Sequence, residues 1–210
     1  MKSKYKKYIL AIFANSIKFG QYCIAGKCVE TKEWFRPVSN QNGGSLSREQ
    51  IMFKNIYGRW QVKNLQKIEM SLMHCPLINQ PENYLIDNSN WIQKYSLKDY
   101  EINDYIDRPD NLWGKFDRVD YQHILNRQVE IKNSLYLVNV QDLKLSKASP
   151  NKRRGQFIYK DIKYNLACTD SNFDKIYEKN NHYKDSILCL SLGEPYKQTG
   201  ACHKLIVGIF

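Results

Sequence analysis

Short β-branched and aromatic runs, separated by turn-forming residues, recur through both halves of this chain, and that rhythm restricts it to meanders and barrels. The runs fall at residues 7–13, 22–29 and 34–38, and again at 134–140, 156–159, 162–167, 187–192 and 203–210. The longest alternating stretch, 65–73, predicts a strand with Ile68, Met70 and Leu72 toward a core and Lys67, Glu69 and Ser71 toward water. Lys160 and Asp161, between two runs, read as a two-residue hairpin turn. Helical signals are short. Ser47 with Gln50 and Ser171 with Asp174 have capping-box spacing, and Phe173, Ile176 and Tyr177 give the second segment an apolar face.

A chain of 210 residues is near the size at which one compact unit becomes two. Thirty-two Lys and Arg stand against 21 Asp and Glu, a net charge of +11, which favours an anionic partner such as nucleic acid, a nucleotide or an acidic protein. Residues 1–88 and 131–210 are both basic, whereas 89–130 is slightly acidic and rich in turn signals around Asp107, Pro109, Asp110 and Asn111. The expected organisation is a first lobe over 1–88, a connector over 89–130 packed by Trp91, Leu112 and Trp113, and a second lobe over 131–210. The expected fold class is mainly β, two oligonucleotide-binding-type (OB-like) barrels with a few short helices. The N-terminal apolar run is too short for a secretory signal, and no stretch is long enough to span a bilayer, so a cytoplasmic protein with no membrane partner is expected.

No phosphate-binding glycine loop, zinc-protease helix or nucleophile elbow is present, so binding is favoured over catalysis and no catalytic set is assigned. The six cysteines sit singly in strand-like runs; Cys23 and Cys28, five apart on one strand, point to opposite faces. Neither a structural metal nor a cofactor is expected. Aromatics beside Arg and Lys carry the more specific signal, because OB barrels hold single strands by stacking bases on rings while cations track phosphates. Trp34 and Tyr159 are the stacking candidates, and only one of the neighbours Trp34 and Phe35 is expected to face the core. Arg36, Arg118, Arg153, Arg154 and Lys204 are the candidate phosphate partners, with Lys152, Arg153 and Arg154 read as one loop patch and Lys2, Lys4, Lys6 and Lys7 as another. Two further readings stay open: a small nuclease or nucleotide-processing enzyme using Asp117 and Asp170, and a protein-binding scaffold or nucleotide-signal sensor.

Taken in order, the runs ANSIKFGQYCIAGK, KEWFRPVS, ENYLID, NLWGKFDRV, ILCLSLGEPY and CHKLIVGI resemble the dual OB-containing domain of bacterial proteins. WFRPVS and CLSLGEP are the most specific pieces; Phe35 and His203 stand where many members have an aliphatic residue and Tyr. The resemblance implies two OB folds and a nucleic-acid-sensing role in prokaryotic conflict or defence systems, with another protein of a defence complex as a further partner. It brings no catalytic residues with it. The expected ligand is nucleic acid, single-stranded in preference to duplex.

Overall fold

A computed structural model describes residues 4–18, 20–87, 89–149 and 152–210. The chain divides into two compact units, one reaching to Tyr105 and one from Ile106 to Phe210. In the first, β1 (Lys6–Lys18), β2 (Gln21–Cys28) and β3 (Trp34–Val38) are followed by the hairpin β4 (Met52–Asn55) and β5 (Gly58–Gln61). Then come β6 (Gln66–His74), β7 (Asn83–Ile86), β8 (Trp91–Ser96) and a 3-10 segment, Asp99–Tyr105. The ring runs β1–β2–β3–β7–β6 and closes by pairing β6 with β1; every ladder in it is antiparallel except β3 with β7. Long β6 serves two partners along one edge, β7 through residues 72–74 and β8 through 66–69, and β8 in turn carries β4 and β5 away from the barrel.

Chain geometry explains how β1 bends around this ring. A bulge between Ile12 and Ala14 lets its start pair with β6 while its end pairs with β2, and Gly26 sits where a Cβ would meet the Ala11 carbonyl oxygen at 2.4 Å. Inside lie Leu10, Ile12, Ile24, Phe35, Phe53, Ile68, Met70, Leu72 and Trp91. The expected alternation of β6 therefore holds on its inner face. On its outer face Lys67 is buried instead of hydrated, because the 3-10 segment brings Glu101 to 2.8 Å from its ammonium.

The second unit repeats the ring with different fittings. It contains β9 (Arg118–Asp120), α1 (Tyr121–Leu125), β10 (Leu135–Ser149), β11 (Lys152–Tyr159), β12 (Ile162–Cys168), α2 (Phe173–Lys179), β13 (His182–Pro195) and β14 (Ala201–Ile209). The ring β10–β11–β12–β14–β13 closes through β13 and β10, again antiparallel except at β12 with β14, and β9 adds to the free edge of β14. Its core holds Leu143, Phe157, Tyr164, Leu166, Phe173, Leu188, Leu190 and Ile206. Both units thus use strand order first, second, third, fifth, fourth, the two-barrel fold expected. Between the third and fourth ring strands the first unit inserts the β4–β5 hairpin and the second inserts α2.

Of the stretch 89–130, Trp91 packs in the first core and Leu112 and Trp113 in the second. Lys160 and Asp161 both take left-handed φ, 46° and 62°, as a tight hairpin turn demands. Ser47 and Gln50 do exchange the two capping-box hydrogen bonds, at 2.8 and 3.3 Å, but no helix follows: the buried Ile51 leads directly into β4. Helix α2 forms with its expected apolar face. At its start the Asp170 carboxylate, not a serine, accepts the Asn172 amide at 2.7 Å.

Candidate nucleic-acid interface

Alternation on β11 and β12 creates an outward face on the second barrel. Gly155, Phe157 and Tyr159 of β11 and Tyr164, Leu166 and Cys168 of β12 are buried. Arg154, Gln156 and Ile158 therefore turn outward opposite Ala167, Asn165 and Lys163. The face continues across the ring: Ala167 pairs with Leu205 of β14, and two residues earlier His203 pairs with Arg118 of β9. Lys163, Arg154, His203 and Arg118 thereby reach one surface from four strands.

The electrostatics of Asp117 report how closely the basic groups gather. The Arg118 guanidinium, donating to its carboxylate at 2.9 Å, holds it below the usual range against some burial, and the charges of Arg118, His203 and Arg154 add to the effect. The Asp117 carboxylate thus bonds Arg118 and lies within electrostatic reach of two further basic side chains. Arg154 is oriented by Asn165, whose side-chain oxygen accepts its Nε at 2.7 Å. Exposed rings stand at the margin. Phe116, two residues before Arg118, is 79% exposed, and Tyr196, on the β13–β14 turn, is 43% exposed and edge-on to His203 at 6.0 Å.

Lys204 lies beneath this face, not on it. Its ammonium donates to the Gly114 carbonyl at 2.7 Å, where the Tyr164 hydroxyl also donates at 3.2 Å. Left-handed φ at Trp113 (54°) and Gly114 (89°) belongs to the turn that presents this carbonyl, and the pair of donors pins the loop that carries Phe116. The expectation that Lys204 meets phosphate gives way to an anchoring role, since the side chain is buried.

The remaining candidates are placed elsewhere. Lys152, Arg153 and Arg154 open a strand instead of forming a loop, so neighbours diverge: Arg153 turns to α2, where its guanidinium bonds Asp174 and lies 5.5 Å from the Phe173 ring. Tyr159 is buried, donates to the Pro109 carbonyl at 2.6 Å, and has its phenol pushed up to about 12 by burial, so it offers no stacking surface. Lys2 lies outside the described residues, and Lys6 and Lys7 belong to β1, Lys7 standing 3.5 Å from Glu69. Asp170 is fully buried with its oxygens committed to the Asn172 and Ile209 amides, at 2.7 and 2.8 Å, and burial raises its carboxyl. It therefore cannot join Asp117 in holding a hydrated ion. Among the described residues, no cluster of three or more His, Cys, Asp or Glu could hold a metal, and no helix is long and apolar enough to cross a membrane.

In the first barrel the equivalent face, on β2 and β3, is covered. Only Phe35 faces the barrel core, as expected, but Trp34 is buried as well and offers no stacking surface: Phe35 stacks on Tyr84 inside, and Trp34 packs outside against Phe13, which in turn packs on Tyr105 of the 3-10 segment. Lys27, paired across the ladder with Trp34, donates to the Tyr105 carbonyl at 2.7 Å, and the Lys32 ammonium sits 3.9 Å from the Tyr105 ring centre. Arg36 forms a largely buried pair with Glu82 at 3.2 Å. Trp34 and Arg36 are therefore structural here. Phe116 and Tyr196 stand beside the second-barrel face without having been singled out in the sequence, and His203 joins it. Phe116 had a signal in its own neighbourhood, an aromatic set between Lys115 and Asp117 in a turn-rich stretch, where a core residue is unexpected.

The family model for the dual OB-containing domain matches residues 8–209. Comparison with curated proteins finds no match. Among solved structures, one described as the crystal structure of the tetrameric p202 HIN2 is similar at 10% identity with a TM-score of 0.34, covering 96% of this chain and 86% of that one. A likeness of that depth carries no argument about ligand.

Proposed function

The chain belongs to the dual OB-containing domain family, and on that premise we propose that it is a nucleic-acid-binding module whose second barrel grips single strands. The observation that carries this reading is the convergence of Arg118, Arg154 and His203 on one outward barrel face flanked by the exposed rings of Phe116 and Tyr196. Guanidinium groups suit phosphate oxygens, and an exposed ring suits a base only when that base has left its own stack. A duplex keeps its base faces hidden, which is the support for the single-stranded preference. Arg118 and Arg154 are the phosphate partners, and Phe116 and Tyr196 replace Trp34 and Tyr159 as stacking residues. Service as a sensor or accessory factor in a prokaryotic defence system, alongside another protein, extends this reading on the family resemblance alone.

The test is a titration of the full chain against single-stranded and duplex DNA and RNA at several salt concentrations. Each phosphate contact on a single strand contributes about 0.7 to the slope of log affinity against log salt, so Arg118→Ala/Arg154→Ala should flatten that slope by roughly 1.4. An unchanged slope in a variant that keeps the parent's thermal midpoint rejects the assignment.

A further inference from the structure

The first barrel is closed by five strands and needs neither β8 nor the β4–β5 hairpin to complete its ring. That extension buries Phe53 and Trp91 on its inner side, yet its outer side and tip remain unspent. Between the hairpin tip and β8 runs an open groove of about 800 Å³, lined by Lys54, Ile56, Tyr57, Ile92, Lys94 and Tyr95 among others. Ile56 is 90% exposed, Tyr57 78%, Tyr95 60% and Ile92 40%. Scattered exposed apolar residues need no explanation; four in one groove do.

The groove is held in shape. Tyr57 is set by its amide donating to Asn55 Oδ1 at 2.9 Å, and Asn55 Nδ2 donates to Gln93 Oε1 at 3.3 Å, tying the hairpin to β8. Charge indicates what would fill it. None of the lining residues carries a carboxylate. Lys54 stands directly opposite Arg59 across the β4–β5 ladder, a like-charge pair that costs stability in an exposed hairpin. Arg59 leans to Glu49 at 3.4 Å, whereas Lys54 has no carboxylate within ion-pair distance among the described residues. Lys94 and Lys7 share the single Glu69, at 2.9 and 3.5 Å. A ligand presenting both flat rings and spaced negative charge satisfies the tyrosines and the lysines together.

We propose that this groove is a second and separate binding site for a short single-stranded nucleic acid, with Tyr57 and Tyr95 stacking bases and Lys54 and Lys94 meeting phosphates. It rests on the nucleic-acid reading above but on different residues in a different unit. The site lies off the barrel ring, on the inserted hairpin, while the covered β2–β3 face of the same unit plays no part.

The experiment is calorimetric titration of the full chain with a single-stranded oligonucleotide of about six nucleotides, short enough for one site. The unaltered protein should bind two oligonucleotides. Tyr57→Ala/Tyr95→Ala should bind one, as should Arg118→Ala/Arg154→Ala. The Tyr95 ring centre also lies 5.1 Å from the buried Lys67 ammonium, so each variant is titrated well below its own thermal midpoint. Tyr57→Ala alone should weaken the same site with the midpoint unchanged, since Tyr57 is 78% exposed. Loss of one stacking tyrosine should weaken the first-unit site roughly tenfold. If the tyrosine variant binds as many oligonucleotides as its parent, the groove is not a site and the second-barrel reading stands. If the arginine variant loses all binding, the groove proposal falls in the same way. If the tyrosine variant alone loses all binding, the groove stands and the second-barrel assignment fails; if the unaltered protein binds none, both fail. Photocrosslinking of a bromouridine-bearing oligonucleotide gives an independent reading: adducts within 54–57 or 92–95 support the groove, and adducts confined to 116–118, 154 and 196–203 overturn it. A change of self-association in the tyrosine variant with the oligonucleotide count intact assigns the groove to a second copy of the chain and likewise overturns it.

Discussion

Lys204 meets the Gly114 carbonyl from a buried position, so its ammonium lacks both bulk water and a directly bonded carboxylate, and burial pushes its pKa down to about 8 from 10.5. Between those values the unfolded chain holds a proton that the folded chain has released, so this residue makes stability rise with pH from about 8 to 10.5. Below pH 8 both states are protonated and the burial cost is felt in full. Spread over that window the effect is about 3 kcal/mol. The buried thiols of Cys168 and Cys202, pushed up to about 12 and about 11, act with the opposite sign above their ordinary pKa of 9. Urea unfolding at pH 7 and pH 10, compared between the parent and Lys204→Met, isolates the lysine: the variant should lose the rise with pH, and parallel curves would show that Lys204 stays hydrated. The residue scale is also where the sequence was least legible. Alternation says that Trp34 and Phe35 face opposite sides of β3, and they do. It cannot say that the Asp99–Tyr105 segment, some 65 positions later, covers the outer side. Tyr159 and Lys204 were misjudged for the same reason, since both are enclosed by the loop around Pro109 and Gly114.

At the scale of elements, strand positions followed from β-branched and aromatic runs, because a strand two residues deep in apolar pattern has few alternatives. The turn between β11 and β12 was equally legible and is chemically imperfect. Lys160 and Asp161 both hold left-handed φ, which side chains with a Cβ resist and Asn-Gly accepts. Lys160→Asn/Asp161→Gly should therefore stabilise the protein by about 1 kcal/mol, read as a higher urea midpoint with an unchanged slope. The exposed pair of Lys160 with Asp110, at 3.4 Å, is too weakly coupled to offset that gain. A lower midpoint would show that the pair matters more than the backbone. The capping boxes were half legible: spacing at Ser47 and Gln50 correctly foresaw the hydrogen bonds, but a helix also needs residues to continue it, and Ile51–Met52 enter a strand.

For the whole molecule, two barrels were foreseeable from strand count and basic lobes, whereas their shared ring order and their different use were not. Which face is open depends on what is inserted: a 3-10 segment covers β2 and β3 in one unit, and the corresponding face in the other bears Arg118 and Arg154. Each ring also contains one ladder unlike the rest, the parallel pairing of β3 with β7 over residues 36–38 and 83–85, and of β12 with β14 over Ala167–Leu205 and Cys168–Ile206 alone. A closed barrel can breathe only by parting a ladder, and in the second ring the two-pair parallel ladder is the shortest and parts at least cost. The Thr169 amide, bonded to the Ile206 carbonyl at 2.8 Å beside that seam, should exchange with solvent deuterium through local opening. The amides along the nine-rung β10–β13 ladder should wait for global unfolding. Hydrogen exchange under increasing denaturant separates the two; equal protection at both places would mean that the ring opens only all at once. If the seam leads, the second barrel unrolls into an open sheet from a known rung, and its moment of greatest vulnerability to proteases and misassembly is already located in the chain.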